Sequence, residues 1–276
     1  MKKGVSLFFV AVLLGVSVFL ASCIGIRTDD RNETENGTQS DAANENEKEY
    51  LINGFDIRTI GNYPEIEAAI RTAANAGEDA LTREDFLRVT RIDLNETGIQ
   101  DISPLAALIN LTEANLGGNK ITDLYPLSGL SKLTDLWLVH NGIADIAPLA
   151  NLKNLTTLNL DVNNIEDLSP LSGLTSLQWL SLQANKIVDL SPLAGLENLT
   201  DARLCSNEIR DITPLSGWKK IERLSLSMNP ITDISVLGNL TALLQVMAVN
   251  CPVEDFSPLD HVKVVEPYTR GGTRPE

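Results

Sequence analysis

The side chains that most often catalyse reactions are scarce in this sequence and lie far apart. The chain has two histidines, His140 and His261, without a His-x-x-x-His, Cys-x-x-Cys, glycine-rich phosphate loop or Gly-x-Ser-x-Gly elbow. His261 fills a repeat position that elsewhere holds Gly, Asn or Ala, which favours a solvated turn residue. Carboxylates are abundant, but hydrolysis by a carboxylate pair also needs a pocket that shifts their pKa values. We therefore expect no enzyme activity and no cofactor.

A column of aspartates recurs every 22 residues and is the strongest candidate for metal chemistry. Its members are Asp101, Asp123, Asp145, Asp167, Asp189, Asp211, Asp233 and Asp255. Stacked carboxylates could collect calcium, but calcium takes six to eight oxygen ligands, and each aspartate here lacks a second carboxylate. Aspartate before Ser/Thr-Pro also accepts backbone N–H bonds where a chain turns. We favour this capping role and no metal site, and keep calcium binding as the alternative.

The cysteines indicate no disulfide. Cys205 and Cys251 lie two repeats apart, so strands spaced about 4.8 Å apart would separate their backbones by about 10 Å. A disulfide tolerates roughly 7 Å between Cα atoms. We predict two free thiols.

The 22-residue period extends to the apolar residues and predicts the architecture. Isoleucine recurs from Ile99 to Ile231, and leucine recurs from Leu105 to Leu259. Leu158 and Leu160 alternate with polar residues, as in a strand with one buried face. The pattern predicts an α/β solenoid of about eight repeats over residues 89–262. Each repeat would contribute one strand to a parallel sheet and return through a short 3-10 or irregular segment.

The spacing of Leu155, Leu158, Leu160, Asn163 and Ile165 matches the leucine-rich-repeat pattern. With its aspartate and following Pro-Leu, the 22-residue unit closely resembles the repeats of bacterial internalins over residues 89–262. This resemblance implies a horseshoe with the sheet on its concave face. It also implies that a column of asparagines points inward and bonds to the backbone where each strand turns. That column is Asn119, Asn141, Asn163, Asn185, Asn207 and Asn229, with Thr97 and Cys251 at its ends.

Residues 49–88 are predicted to be a helical cap over the first repeat. Pro64 followed by Glu65 suits the first turn of a helix, and Thr82 with Asp85 resembles a capping box that opens a second helix. A solenoid needs such a cover because its first repeat has no preceding neighbour.

The concave face supplies the candidate ligand-binding residues. Three rows of variable side chains alternate with the constant apolar columns, which indicates that packing constrains only the apolar set. Trp137 and Trp179 are the most notable members, because interface hot spots favour Trp, Tyr and Arg. Trp218 occupies a leucine position and is predicted to be core. The predicted ligand-binding residues are Arg91, Trp137, His140, Asn159, Trp179, Arg203 and Arg223.

The first residues predict export and lipidation. Met1, Lys2 and Lys3 precede an apolar run from Val5 to Leu20, which is typical of a secretory signal. The ending Leu20-Ala21-Ser22-Cys23 resembles the lipobox of bacterial lipoproteins. This resemblance implies cleavage after residue 22 and lipidation of Cys23.

A polar segment and a short tail flank the predicted domain. Residues 24–48 hold almost nothing apolar after Ile26, so residues 23–48 are expected to form a disordered tether behind the lipid. Residues 263–276 are expected to form a C-terminal tail.

Charge narrows the partner class. The formal net charge of −15 repels nucleic acid and anionic head groups, so we expect contact with the membrane through the lipid only. The leading hypothesis is a monomeric lipoprotein at the outer side of a cell membrane or outer membrane that binds a protein through its concave face. The alternative is a structural or scaffolding lipoprotein of the cell envelope.

Overall fold

The computed structural model describes residues 48–266 of the 276-residue chain. The predicted signal segment 1–22, the lipidation site Cys23 and the tether up to residue 47 lie outside the described residues. The last ten residues, 267–276, lie outside them too.

A nine-stranded parallel sheet organises the described part of the chain, and its strands lie side by side in sequence order. The strands are β3 Arg91–Asp93, β4 Glu113–Asn115, β5 Asp135–Trp137, β6 Thr157–Asn159, β7 Trp179–Ser181, β8 Asp201–Arg203, β9 Arg223–Ser225, β10 Gln245–Met247 and β11 Val264–Glu266. From β3 to β10 each residue pairs with the one 22 positions later, as Leu136 pairs with Leu158. The predicted solenoid is therefore confirmed. A ninth strand, β11, was not predicted and begins inside the expected C-terminal tail.

The chain returns from each of the eight strands β3 to β10 through a short 3-10 helix, as expected. These helices are Ser103–Ala107, Tyr125–Leu127, Ala147–Leu149, Ser169–Leu171, Ser191–Leu193, Thr213–Gly217, Ser235–Asn239 and Ser257–Leu259. Their leucines and the central residue of each strand from β3 to β10 are at most 5% exposed, so the core lies between the sheet and the 3-10 helices. Trp218 is buried in this core as predicted, and its Nε1–H donates to the Leu193 carbonyl at 3.0 Å.

The aspartate column caps these return segments. In all eight repeats the aspartate Oδ1 accepts a hydrogen bond from the backbone N–H two residues later, at 2.8 Å. The capping prediction is confirmed. Since the serine N–H and hydroxyl favour the charged form, the pKa of Asp167 lies below its usual value.

The asparagine column joins consecutive repeats from inside. The Asn163 amide donates to the carbonyls of Leu138, Leu160 and Asp161 at 3.0–3.1 Å, and its Oδ1 accepts from the Ile143 N–H at 3.1 Å. The same arrangement recurs at the other asparagines of the column, which confirms the expectation. These bonds satisfy polar groups that would otherwise be buried without partners.

Cys205 and Cys251 are both free thiols, as predicted. Cys251 takes the asparagine position of its repeat and donates its thiol hydrogen to the Leu226 carbonyl at 3.2 Å. Burial raises the pKa of this thiol, which keeps it protonated and disfavours reaction.

A left-handed residue follows the strand in every repeat, three positions after the last strand residue. This column comprises Glu96, Gly118, His140, Val162, Ala184, Ser206, Met228 and Asn250, with φ between +53° and +65°. Only one member is glycine, although side chains other than glycine rarely adopt this conformation. The packing of the repeat therefore imposes this left-handed conformation on most of these residues. The resulting turn places the next residue in the asparagine column.

The N-terminal cap combines a hairpin with two helices. Strands β1 Leu51–Ile52 and β2 Phe55–Asp56 form an antiparallel pair, a 3-10 helix spans Ile57–Asn62, and helices α1 Pro64–Ala74 and α2 Arg83–Arg88 follow. The proline start of α1 and the capping box between Thr82 and Asp85 are as predicted, whereas the hairpin was not predicted. Ile66, Ile70 and Phe86 are at most 1% exposed and join the same apolar core as the repeats, so the cap covers the first repeat.

Candidate functional site

One face of the large sheet is open, and its side chains come from alternate strand residues. We call this the open face. Its first row contains the first residue of each strand, namely Arg91, Glu113, Asp135, Thr157, Trp179, Asp201, Arg223 and Gln245. Its second row contains the third residue of each strand, namely Asp93, Asn115, Trp137, Asn159, Ser181, Arg203, Ser225 and Met247. The middle residues of these strands face the core, which confirms the inward and outward assignment made from the sequence.

Three of the predicted residues meet around a buried carboxylate on β7, β8 and β9. Asp201 is 5% exposed and accepts a 2.7 Å hydrogen bond from Arg223 Nε. Arg203 Nε lies 3.6 Å from the other oxygen of Asp201. The Arg203 guanidinium also lies over the Trp179 ring, 5.2 Å from its centroid. We call Trp179, Asp201, Arg203 and Arg223 the Asp201 group. In this compact group an aromatic ring and a buried anion position two half-exposed cations.

The sequence did not single out Asp201, which is the residue that holds this group together. The sequence pattern identifies it only as one variable member of an outward-facing row. Its position in the sequence could have indicated this role, because in-register parallel pairing puts Asp201 between Trp179 and Arg223 in the first row.

Part of the open face is engaged in its own hydrogen bonds. Asp161, two residues beyond the end of β6, accepts from the Ser181 hydroxyl at 2.5 Å and from the Gln183 backbone and side-chain amides at 2.7 and 3.0 Å. Asn159, one of the predicted ligand residues, accepts from the Asp161 N–H at 2.9 Å. These side chains are fixed by neighbours, so the face is less uniformly free than the row pattern indicated.

The N-terminal end of the open face carries Trp137 and an ion pair. The exposed Arg91 pairs with Glu113 on the adjacent strand. Trp137 lines a groove of about 600 Å³ together with Ala69 and Thr72 of α1. This groove lies where the cap meets the first strands. Trp137 on β5 is three strands from Asp201 on β8, or about 14 Å at a strand spacing of about 4.8 Å.

The two histidines are far apart in the repeat array, and neither lies within a strand. His140 is the left-handed residue after β5, is exposed, and donates its backbone N–H to the Asp161 carbonyl at 2.9 Å. It therefore lies at the rim of the open face. His261 is exposed, as expected for a turn residue, with Nε2 3.2 Å from the Leu240 carbonyl.

The described part of the chain has neither a cluster of metal-binding side chains nor a membrane-spanning helix. Residues 48–266 contain no group of three or more His, Cys, Asp or Glu side chains arranged to hold a metal ion. Across the same residues, no helix has the length and apolar character needed to cross a membrane.

Comparisons with known proteins agree with this architecture. Residues 131–173 match the family model described as leucine-rich repeats in two copies. No curated protein sequence matches the chain significantly. The chain is similar to the crystal structure of internalin C2 from Listeria monocytogenes str. 4b F2365, with 35% identity and a TM-score of 0.72 over 76% of this chain and 95% of that one.

Two further solved structures extend the comparison. An internalin designated inlF from the same Listeria strain is 32% identical, with a TM-score of 0.65 over 76% of this chain and 70% of that one. The plant peptide hormone receptor RGFR1, solved in complex with RGF2, is 25% identical, with a TM-score of 0.53 over 62% of this chain and 30% of that one. Since internalin C2 is more than 30% identical and is covered almost completely, the chain belongs to the internalin family of leucine-rich-repeat proteins.

Proposed function

We propose that this protein is a binding module that recognises another protein through the open face of its sheet. The observation that carries the proposal is the clustering of residue types typical of interface hot spots on that face. Trp137 and Trp179 are each partly exposed there, and Arg203 and Arg223 present half-exposed guanidinium groups. Side chains of this kind bury large apolar area and donate several hydrogen bonds at once.

The dimensions of the open face suit a protein ligand. Nine strands about 4.8 Å apart extend over roughly 40 Å. Each three-residue strand together with the two residues after it is about 15 Å long. This gives on the order of 600 Å², about three quarters of the roughly 800 Å² that each partner gives to a standard interface. RGFR1, a plant receptor of similar fold, was solved in complex with a partner, RGF2.

The proposal includes no catalytic step. The histidines lie apart, the buried Cys251 thiol is held protonated, and the carboxylates of the aspartate column are engaged in capping hydrogen bonds. A regular stack of short strands presents a broad face, which favours recognition over chemistry on a small substrate.

We further propose that the module acts outside the cytoplasm, held at a membrane by lipid on Cys23. The Leu20-Ala21-Ser22-Cys23 segment and the apolar run before it support this part of the proposal. Two or three acyl chains give stable anchoring, whereas one chain gives only marginal binding. Metabolic labelling with palmitate should mark the wild-type chain and not Cys23→Ala. Equal labelling of both would contradict the anchor.

Competition with variants tests the binding face. The whole chain is displayed on beads and exposed to surface proteins, and soluble competitor chain is added in excess. Wild-type competitor should displace the captured partner, whereas the Trp137→Ala and Trp179→Ala variants should require at least tenfold more protein, because each loses about 2 kcal/mol of contact.

Tyr125→Ala provides a matched control. Tyr125 is an aromatic side chain that is 73% exposed in a 3-10 helix on the other side of the core, so this variant should compete like wild type. If Tyr125→Ala lost the ability to compete and the tryptophan variants did not, the binding surface would lie on the side with the 3-10 helices. That result would favour the alternative of an envelope scaffold.

A further inference from the structure

The Asp201 group has an imbalance of charge that its neighbours leave uncompensated. Two guanidinium groups, Arg203 and Arg223, approach the single buried carboxylate of Asp201. Both do so through Nε, and within the described residues neither arginine forms a hydrogen bond through its terminal nitrogens. Within the described residues the only other acidic contact of either arginine is a 3.8 Å approach of Arg223 Nη1 to Glu222. Both partners of that contact are about half exposed, so solvent weakens it.

Another arginine on the open face has a different environment. Arg91 pairs with Glu113 one to one, and Asp93 and Asp135 flank the pair in the two rows. The N-terminal end is therefore acidic in sum. The Asp201 group instead contains two cations and one anion, in a chain whose formal net charge is −15. This local excess departs from the general character of the molecule and favours an anionic ligand.

The arginines border a concavity that can accept a side chain. Its volume is about 450 Å³, and its lining includes Arg203, Arg223, Met228 and Met247. Met228 is 57% exposed, and methionine side chains adapt to ligands of different shape. The walls therefore supply fixed hydrogen-bond donors on one side and adjustable apolar contacts on the other.

The arginines are also held in place before a ligand arrives. Asp201 is buried and fixes Arg223 by a 2.7 Å hydrogen bond, while the Trp179 ring lies under Arg203. Fixing two long side chains in advance lowers the entropy cost of binding. Planar guanidinium groups hydrogen-bond to carboxylates through two parallel N–H groups.

We propose that the concavity between Arg203 and Arg223 binds the carboxylate of an aspartate or glutamate side chain on the partner protein. This inference rests on the proposed function, since it specifies the chemistry of the partner at one place on the open face. A carboxylate carries one charge, which equals the excess of two cations over one buried anion. A phosphate carries nearly two charges at neutral pH and would leave this site with an excess of negative charge.

Titration with small defined probes tests the inference without the natural partner. The whole chain, labelled with ¹⁵N at arginine and kept in detergent solution, is followed through its Nε–Hε signals. The main probe is the peptide Ala-Glu-Ala with both ends blocked, and the matched probe is blocked Ala-Gln-Ala. The glutamate peptide should shift the Arg203 and Arg223 signals saturably, and the glutamine peptide should leave them in place.

Variants identify the signals and test the contacts. Arg203→Gln and Arg223→Gln should each weaken binding of the glutamate peptide at least fivefold. Arg223→Lys should weaken it as well, because lysine keeps the charge but lacks the two parallel N–H groups of a guanidinium. Arg210→Gln is the control, since Arg210 is exposed and lies outside the open face. Melting temperatures of the variants near that of wild type establish that the loss is local.

Three outcomes would overturn the inference. They are equal shifts with the glutamine peptide, tighter binding of inorganic phosphate than of the glutamate peptide, and binding only of an unblocked Ala-Ala-Ala through its terminal carboxylate. Any of these can occur while the tryptophan variants still fail to compete for the captured partner. In that case the proposed function stands, and only the assignment of the carboxylate falls.

Discussion

At the scale of single residues, the structure depends on polar side chains placed where each repeat turns. Asn163 makes three hydrogen bonds to carbonyls and accepts one from a backbone N–H, all inside the core. The sequence indicated this column because its identity is constant while neighbouring positions vary. It could not indicate the left-handed column next to it, because Val162 and Ala184 have no intrinsic preference for that conformation.

Removing one asparagine should destabilise the whole array. The Asn163→Ala variant leaves the Ile143 N–H without a partner in the core and removes three hydrogen bonds to carbonyls that keep other donors. Together these losses should lower the free energy of unfolding by about 3 kcal/mol. Urea denaturation measures this change. The adjacent exposed Asn164→Ala is the control and should change the value by less than about 0.5 kcal/mol. Equal effects of both variants would contradict an internal role for the column.

The aspartate column should make stability depend on acid. The pKa values of Asp101, Asp167, Asp189, Asp233 and Asp255 lie below the usual range, because the serine two residues later donates from its backbone N–H and hydroxyl. The unfolded chain therefore binds protons at higher pH than the folded chain does. The stabilisation is complete above the ordinary aspartate pKa of about 4 and is lost as the pH falls through the lower folded values.

Thermal melts from about pH 6 to pH 2 measure this dependence. Changing these five aspartates to asparagine should flatten the decline in melting temperature below about pH 4. Changing Glu166 to glutamine should leave the decline as in wild type, because Glu166 is exposed and its contact with Lys186 is 4.0 Å long. A chelator should leave the melting temperature of wild type unchanged at neutral pH. A large fall with chelator would support the calcium alternative.

At the scale of elements, the sequence predicted those that follow a periodic or capping rule. The strands, the 3-10 returns, helix α1 and the capping box of α2 each have such a signal. The hairpin β1–β2 was missed although Asn53-Gly54, a common hairpin turn, lies between two apolar residues and has positive φ at both positions. Strand β11 was missed because no later repeat follows Val264 to establish its register.

The cap is expected to stabilise the first repeat directly. Ile70 of α1 is fully buried against the repeat core, so Ile70→Ala should lower the free energy of unfolding by about 3 kcal/mol. It should also increase hydrogen exchange of the β3 amides more than that of the β9 amides, since each repeat contacts mainly its neighbours. Thr72→Ala, on the exposed side of the same helix, is the control. Uniform acceleration along the sheet would contradict a local role for the cap.

At the scale of the whole molecule, the division between core and open face was predictable and the organisation of the open face was not. Alternation assigned every strand position to one side, and the parallel register confirmed it. Alternation says nothing about which outward side chains bond to each other. The contacts of Asp201 with Arg223, and of Asp161 with Ser181 and Gln183, depend on rotamers and on neighbours 20 or 22 residues away.

Position-resolved photo-crosslinking on intact cells tests the central claim most directly. The photoreactive residue p-benzoylphenylalanine is placed at Thr157, in the first row of the open face, or at Ala147, in a 3-10 helix across the core. The account predicts that a partner protein crosslinks to the residue at position Thr157. Excess wild-type chain should abolish this crosslink, whereas excess chain carrying both Trp137→Ala and Trp179→Ala should not. A partner that crosslinks at Ala147 and not at Thr157 would contradict it.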